Sequence, residues 1–166
     1  MIRVAVLVYL SLFFLSCGYK PTAIYSKNIL GDRIFADVKI SLKDPENSII
    51  IKDALNEAIV TKFHSQIAPK EKATSKLFVE LESVDFRPIE YDKNGYVVTY
   101  KSVVTLKTIY IDKDAHETLL ISSGDYDFNI ESLSVISDTL RFNAIKEASL
   151  KAIDALISKI SIRGIK

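Results

Sequence analysis

The chain has 166 residues, 22 Lys+Arg against 21 Asp+Glu, one cysteine and no tryptophan. That balance offers neither the basic excess of a nucleic-acid binder nor the acidic run of a solvating tail. A single cysteine excludes an internal disulfide, and 5 Gly and 4 Pro leave little room for low-complexity sequence, so packing alone must hold one domain together.

The N-terminus opens with Arg3, runs apolar from Val4 to Leu15, and reaches Ser16-Cys17-Gly18. Those 12 residues, apolar but for Ser11, make roughly 18 Å of helix, well short of the ~30 Å that a bilayer core requires. The order reads as a secretory signal over 1–16, cleaved before a cysteine that carries lipid. Phe14 and the lone basic side chain depart from the commonest pattern. An uncleaved signal anchor and a buried structural thiol are the alternatives. A covalent lipid on Cys17 is the only prosthetic group expected; several acyl chains there would hold the protein firmly to a membrane. Gly18 stands where an Asp would favour the inner membrane, so the expected location is the outer membrane, facing the periplasm.

Residues 17–33, with Pro21, Asn28 and Gly31-Asp32, read as a lipidated tether, and 34–166 as one domain. Ile34, Ala36, Val38, Ile40 and Leu42 alternate with Phe35, Asp37, Lys39, Ser41 and Lys43, as a half-buried strand does. After turn chemistry at Asp44 to Ser48, a helical stripe follows at Ile50, Ile51, Ala54, Leu55, Ala58, Ile59 and Phe63. Leu77, Val79 and Leu81 share a face, and the phase then slips at Ser83 so that Val84 and Phe86 become the apolar pair, which predicts a bulge. Asp92-Lys93-Asn94-Gly95 predicts a hairpin, because Asn-Gly readily adopts the positive φ of tight turns. Tyr96 to Ile111 is the next strand, Asp112-Lys113-Asp114 a second turn, and His116 to Ile130 the last strand. Ser137-Asp138 can cap a final helix whose stripe is Ile145, Ala148, Ala152, Leu156 and Ile160, widened by Phe142, Ile153 and Ile157.

The expected fold class is α+β: a two-layer sandwich, order β-α-β-β-β-α, with both helices on one face of a four-stranded sheet. The opposite face should be polar, with Asp37, Lys39, Lys101, Lys107, Asp125 and Asp127. Tyr96, Tyr100 and Tyr110 fit the sheet–helix core.

Catalytic chemistry finds no foothold in the sequence. His64 and His116 stand without a Cys/His/Glu set at metal-ligand spacing, so no metal site is expected. Asp125-x-Asp127 and Glu80-x-Glu82 are better explained as an exposed strand face than as cation ligands. Ser122-Ser123-Gly124 lacks the partners of a nucleophile, and no glycine-rich phosphate loop is present. The reading is a protein that is not an enzyme.

Cys17-Gly18-Tyr19, the β-α-β-β-β-α order, and Lys93-Asn94-Gly95 followed by Tyr100 together resemble the LptE family of lipopolysaccharide-assembly lipoproteins. The resemblance implies a lipoprotein that plugs the lumen of the outer-membrane β-barrel LptD and helps pass lipopolysaccharide outward. It implies Lys93 and Asn94 as the lipopolysaccharide-binding candidates, since fixed cations suit the lipid's phosphates. A solvated turn lysine is the plain alternative for Lys93. A further family lysine before the last helix is missing, because Ser122 to Leu140 contains no Lys or Arg. The competing function is a periplasmic accessory lipoprotein of an ABC-type lipid-transport system.

Overall fold

The computed structural model describes residues 30–39, 45–62 and 64–163. Cys17, Phe63 and the strand positions expected at Ile40 and Leu42 lie outside the described residues. In chain order the elements are β1 (Arg33–Lys39), α1 (Pro45–Thr61), β2 (Gln66–Ile67), β3 (Ser75–Tyr91), β4 (Val97–Ile111), β5 (Glu117–Asn129) and α2 (Asp138–Arg163).

The sheet has five strands in the spatial order β2-β1-β3-β4-β5, one more than the periodicity predicts. The extra strand is the two-residue β2, parallel to β1. Two residues cannot display a period. β2 exists because the chain leaving α1 passes alongside β1, where the Gln66 N–H donates to the Asp32 carbonyl (2.8 Å) and the Ala68 N–H to that of Ile34 (2.9 Å). β1 and β3 are parallel neighbours, whereas β3, β4 and β5 form an antiparallel meander.

Both helices cover one face, as expected, over a core that includes Ile34, Leu55, Ile59, Leu77, Leu106, Ile145, Leu156 and Ile160. Leu30, the first described residue, lies inside the stretch expected as tether, yet its side chain is buried and its carbonyl accepts from the Ser75 hydroxyl (2.6 Å). The two helices are also joined by ion pairs from Lys62 to Asp154 (2.6 Å) and from Lys146 to Glu57 (3.5 Å). Both pairs are well exposed and add little stability. No helix among the described residues is long and apolar enough to cross a membrane.

Small residues let α2 lie close to the sheet. A Cβ built on Gly124 would stand 2.2 Å from the Ala152 nitrogen and 2.3 Å from the Ala148 carbonyl oxygen. Ser102, Thr108 and Ser122 are buried on the same sheet face, and their hydroxyls have no partner among the described residues. The irregularity expected at Ser122-Ser123-Gly124 is therefore a contact surface, and the ladder there runs on without a register shift.

The bulge is where the phase slip placed it, between Leu81 and Ser83, with further shifts around Pro88, Glu90 and Tyr91. Two apolar assignments are corrected. Phe142 is 48% exposed, because the first turns of α2 overhang a cleft shared with Glu46, Asn47 and Ile50 instead of the sheet. Tyr96 is 45% exposed, since it closes the hairpin turn before β4 begins.

The uncovered sheet face is not uniformly polar as expected. Register sets Asp37, Phe78, Ile109 and Leu119 side by side across four strands. Phe35 contacts Phe78 with ring centroids 5.7 Å apart, and Ile121 lies opposite Lys107 in the ladder. The half nearer the 92–95 turn carries Asp85, Arg87, Lys101, Asp125 and Asp127 instead.

Candidate functional site

The hairpin between β3 and β4 places Lys93 and Asn94 at its tip, both exposed. Its geometry is set by Asp92. The Asp92 N–H donates to the Tyr96 carbonyl (2.8 Å), the Gly95 N–H to the Asp92 carbonyl (3.0 Å), and Gly95 takes φ +84°. This is a three-residue loop with one left-handed residue. Asn94 does not share the positive φ that the Asn-Gly reading suggests; its N–H is instead held by the Asp92 carboxylate (2.8 Å). The same carboxylate oxygen accepts from the Tyr96 N–H (2.9 Å), and the other oxygen accepts from the Ser132 hydroxyl (3.0 Å). These donors, Tyr96 foremost, hold the Asp92 carboxyl below its ordinary value.

Lys93 makes no ion pair among the described residues. Its counterpart in the turn between β4 and β5, Lys113, pairs with the neighbouring Asp114 at 2.7 Å. The difference traces to one position, Asn94 against Asp114. The first turn presents a cation; the second neutralises it.

Behind the tip lies an aromatic cluster. Tyr100 stacks on Phe128 (6.1 Å), Phe128 meets Phe86 edge-on (6.0 Å), and the Arg141 guanidinium lies over Phe86 (5.1 Å). Tyr100 thus supports the hairpin's base, and Tyr110 is buried at the far end of β4, its hydroxyl pushed up to about 12 by burial, with Asp112 and Asp114 adding to the shift. Arg141 is one residue beyond the cation-free stretch ending at Leu140. The cue that would have drawn attention to it is a basic residue in the first turn of a helix, where acidic ones are favoured.

The paired carboxylates behave as a sheet face. Lys101 bridges Asp125 (3.0 Å) and Asp127 (3.2 Å), and its hydrogen bond lowers the Asp125 carboxyl. Lys39 meets Glu80 at 2.8 Å beside a cleft of about 390 Å³ lined by Phe78, Lys107 and Ile109. His116 enters a group that sequence spacing did not suggest, with Asp112 and Asp114, whose donor atoms lie within 4.8 Å of one another. Those atoms are already occupied. One Asp112 oxygen accepts from the Asp114 and His116 N–H groups (both 2.9 Å), and the other lies 3.3 Å from His116 Nδ1. Asp114 holds Lys113. The group closes a turn.

A family model described as "LptE: Lipopolysaccharide-assembly" matches residues 35–160. The chain belongs to the LptE family. Among solved structures, it is similar to the rare lipoprotein B from Shewanella oneidensis: 10% identity, 80% of this chain and 96% of that one, TM-score 0.53. It is also similar to a putative lipoprotein from Caulobacter crescentus: 14% identity, 89% and 98% coverage, TM-score 0.55. At such identities these two likenesses speak for the fold. Among proteins of curated function, none matches the sequence. Membership makes this a protein of a lipopolysaccharide-assembly family, an accessory lipoprotein family rather than one of enzymes.

Proposed function

We propose that this protein is the lipoprotein partner of an LptD-type outer-membrane barrel, seated in its lumen and tethered by lipid on Cys17. The observation that carries the reading is the family match across nearly the whole folded domain, 35–160. The polar half of the uncovered sheet, with Arg87, Lys101, Asp125 and Asp127, suits a polar lumen. Lipopolysaccharide contact is assigned to the hairpin tip, where Lys93 is a cation without a carboxylate partner among the described residues and Asn94 adds an amide. A phosphate arriving there displaces water and no internal ion pair.

Tagged protein should co-purify with a barrel of LptD size from outer membranes. If it reaches the outer membrane and captures no barrel, the plug reading fails; capture of inner-membrane transporter subunits would favour the accessory role in an ABC-type system. Palmitate labelling that persists in Cys17→Ser would refute the anchor. Lys93→Glu should weaken binding of purified lipopolysaccharide about tenfold, a loss of ~1.4 kcal/mol; unchanged affinity removes Lys93 from the site.

A further inference from the structure

β5 is the outermost strand on its side of the sheet and runs for 13 residues, Glu117–Asn129. Its register with β4 is continuous from Ile111↔Glu117 to Thr99↔Asn129, without a bulge. Edge strands are usually kept from pairing by bulges, prolines, lysines or brevity. The opposite edge uses brevity, with two residues in β2. β5 is long and has no bulge, Pro or Lys of its own; the charges along it are Glu117, Asp125 and Asp127.

The direction of its free backbone groups follows from the turn. The Asp112 N–H bonds the His116 carbonyl, and the Ile130 N–H bonds the Val98 carbonyl, so the even-numbered residues of β5 carry the ladder to β4. The odd residues therefore point N–H and C=O away from the sheet. Lys159 on α2 donates to the Ile121 carbonyl, which confirms that direction and caps one group. Among the described residues no other partner reaches this row. The side chains on the same odd residues form a graded strip on the uncovered face. Leu119 (54% exposed) and Ile121 (50%) come first, Ser123 is neutral, and Asp125 and Asp127 follow, sharing the single charge of Lys101.

We propose that the β5 edge is a docking site for an extended strand of another protein, added antiparallel along Leu119–Asp127. The strand it fits carries two basic side chains at alternate positions, opposite Asp127 and Asp125, followed by two apolar ones opposite Ile121 and Leu119. Main-chain bonds supply affinity, and this graded strip supplies direction and register. A second copy of the chain fits badly. The antiparallel self-pairing with the longest overlap, centred on Ser123, sets Asp125 against Ile121 and Asp127 against Leu119 of the other copy. The proposal stands apart from the Lys93 reading and does not require lipopolysaccharide.

The test uses the folded chain and a nine-residue peptide with Lys at positions one and three, Thr at the centre, and Val at seven and nine. A control peptide has the Lys and Val positions exchanged. Binding should slow hydrogen exchange at least tenfold at the Leu119, Ile121, Ser123, Asp125 and Asp127 amides, with a period of two along β5. The exchanged peptide should bind at least tenfold more weakly. Ser123→Pro removes an outward N–H while sparing the ladder, and should abolish binding. Asp125→Lys with Asp127→Lys leaves the backbone intact, sets like charges against the two lysines of the first peptide, and should weaken its binding at least tenfold. No binding at millimolar peptide overturns the proposal, as does equal binding by a folded Ser123→Pro variant or protection without the alternation. A concentration-dependent dimer that Ser123→Pro disrupts would assign the edge to a second copy, and would overturn the choice of partner.

Discussion

At either end of β4 the chain reverses through five residues that begin alike, Asp92-Lys93-Asn94-Gly95-Tyr96 and Asp112-Lys113-Asp114-Ala115-His116. In both, the aspartate carboxylate gathers the N–H groups two and four residues on, and the fourth residue is left-handed: Gly95 at φ +84°, Ala115 at φ +62°. The shared aspartate dictates the turn; the other positions dictate its use. Asn94 leaves Lys93 without an ion-pair partner among the described residues, and the second Asp92 oxygen reaches across to Ser132 in the loop before α2. Asp114 neutralises Lys113, and the second Asp112 oxygen faces His116 of the same turn. A surface cation thus becomes available or silent through a neighbour one position away, with no change of backbone.

Four experiments bear on that contrast. The largest effect removes the platform common to both turns. Gly124→Ala drives a methyl group into the α2 backbone at Ala148 and Ala152 and should cost about 3 kcal/mol in urea denaturation. A wild-type midpoint would show that α2 can shift freely. Next come the left-handed residues, where opposite signs are expected. Gly95→Ala should destabilise by ~1 kcal/mol, and Ala115→Gly should stabilise by up to about as much. Equal signs would mean that the two backbones are not equivalent.

Acid should act on both turns in one direction. At Asp112 burial pushes the carboxyl up, but the His116 and Asp114 N–H groups and the His116 side chain outweigh it, so it stays below its ordinary 3.8; Asp92 is lowered too. A depressed carboxyl contributes stability that is fully present above the ordinary value and lost as pH falls through the lowered one. Wild-type stability should therefore fall more steeply below about pH 4 than that of Asp92→Asn or Asp112→Asn; parallel acid profiles would contradict it. The smallest effect concerns binding. Asn94→Asp copies the Lys113–Asp114 pair onto Lys93 and should weaken lipopolysaccharide binding about twofold, in keeping with the modest strength of exposed pairs. An unchanged constant would separate Lys93 from the lipid.

Most of the fold is legible in the sequence because its signals are local. The slip at Ser83, the Asp-Lys-Asn-Gly turn and the helical stripe from Ile145 to Ile160 each complete their pattern within a few residues. β2 is not legible, because what makes it a strand is bonding to Asp32 and Ile34, about thirty residues earlier in the chain. The apolar end of the uncovered sheet is hidden for a related reason. Phe78, Ile109 and Leu119 lie on three different strands, each of which also carries polar residues on that face, and only the register makes them neighbours. At the hairpin, Lys93 and Asn94 are conspicuous by residue type. That Lys93 has no ion pair among the described residues stands out only beside the second turn, and Arg141 is recognised only once Phe86 lies beneath it.

Leu30 is locked into the core beside Ser75, and the strand that follows it is an interior one, flanked by β2 and β3 in parallel. A pull arriving along the chain from its N-terminal side therefore meets β1 lengthwise. Bonds on both flanks would have to shear together rather than open one after another. Such a domain can bear a load applied at its N-terminal end without peeling apart from that end.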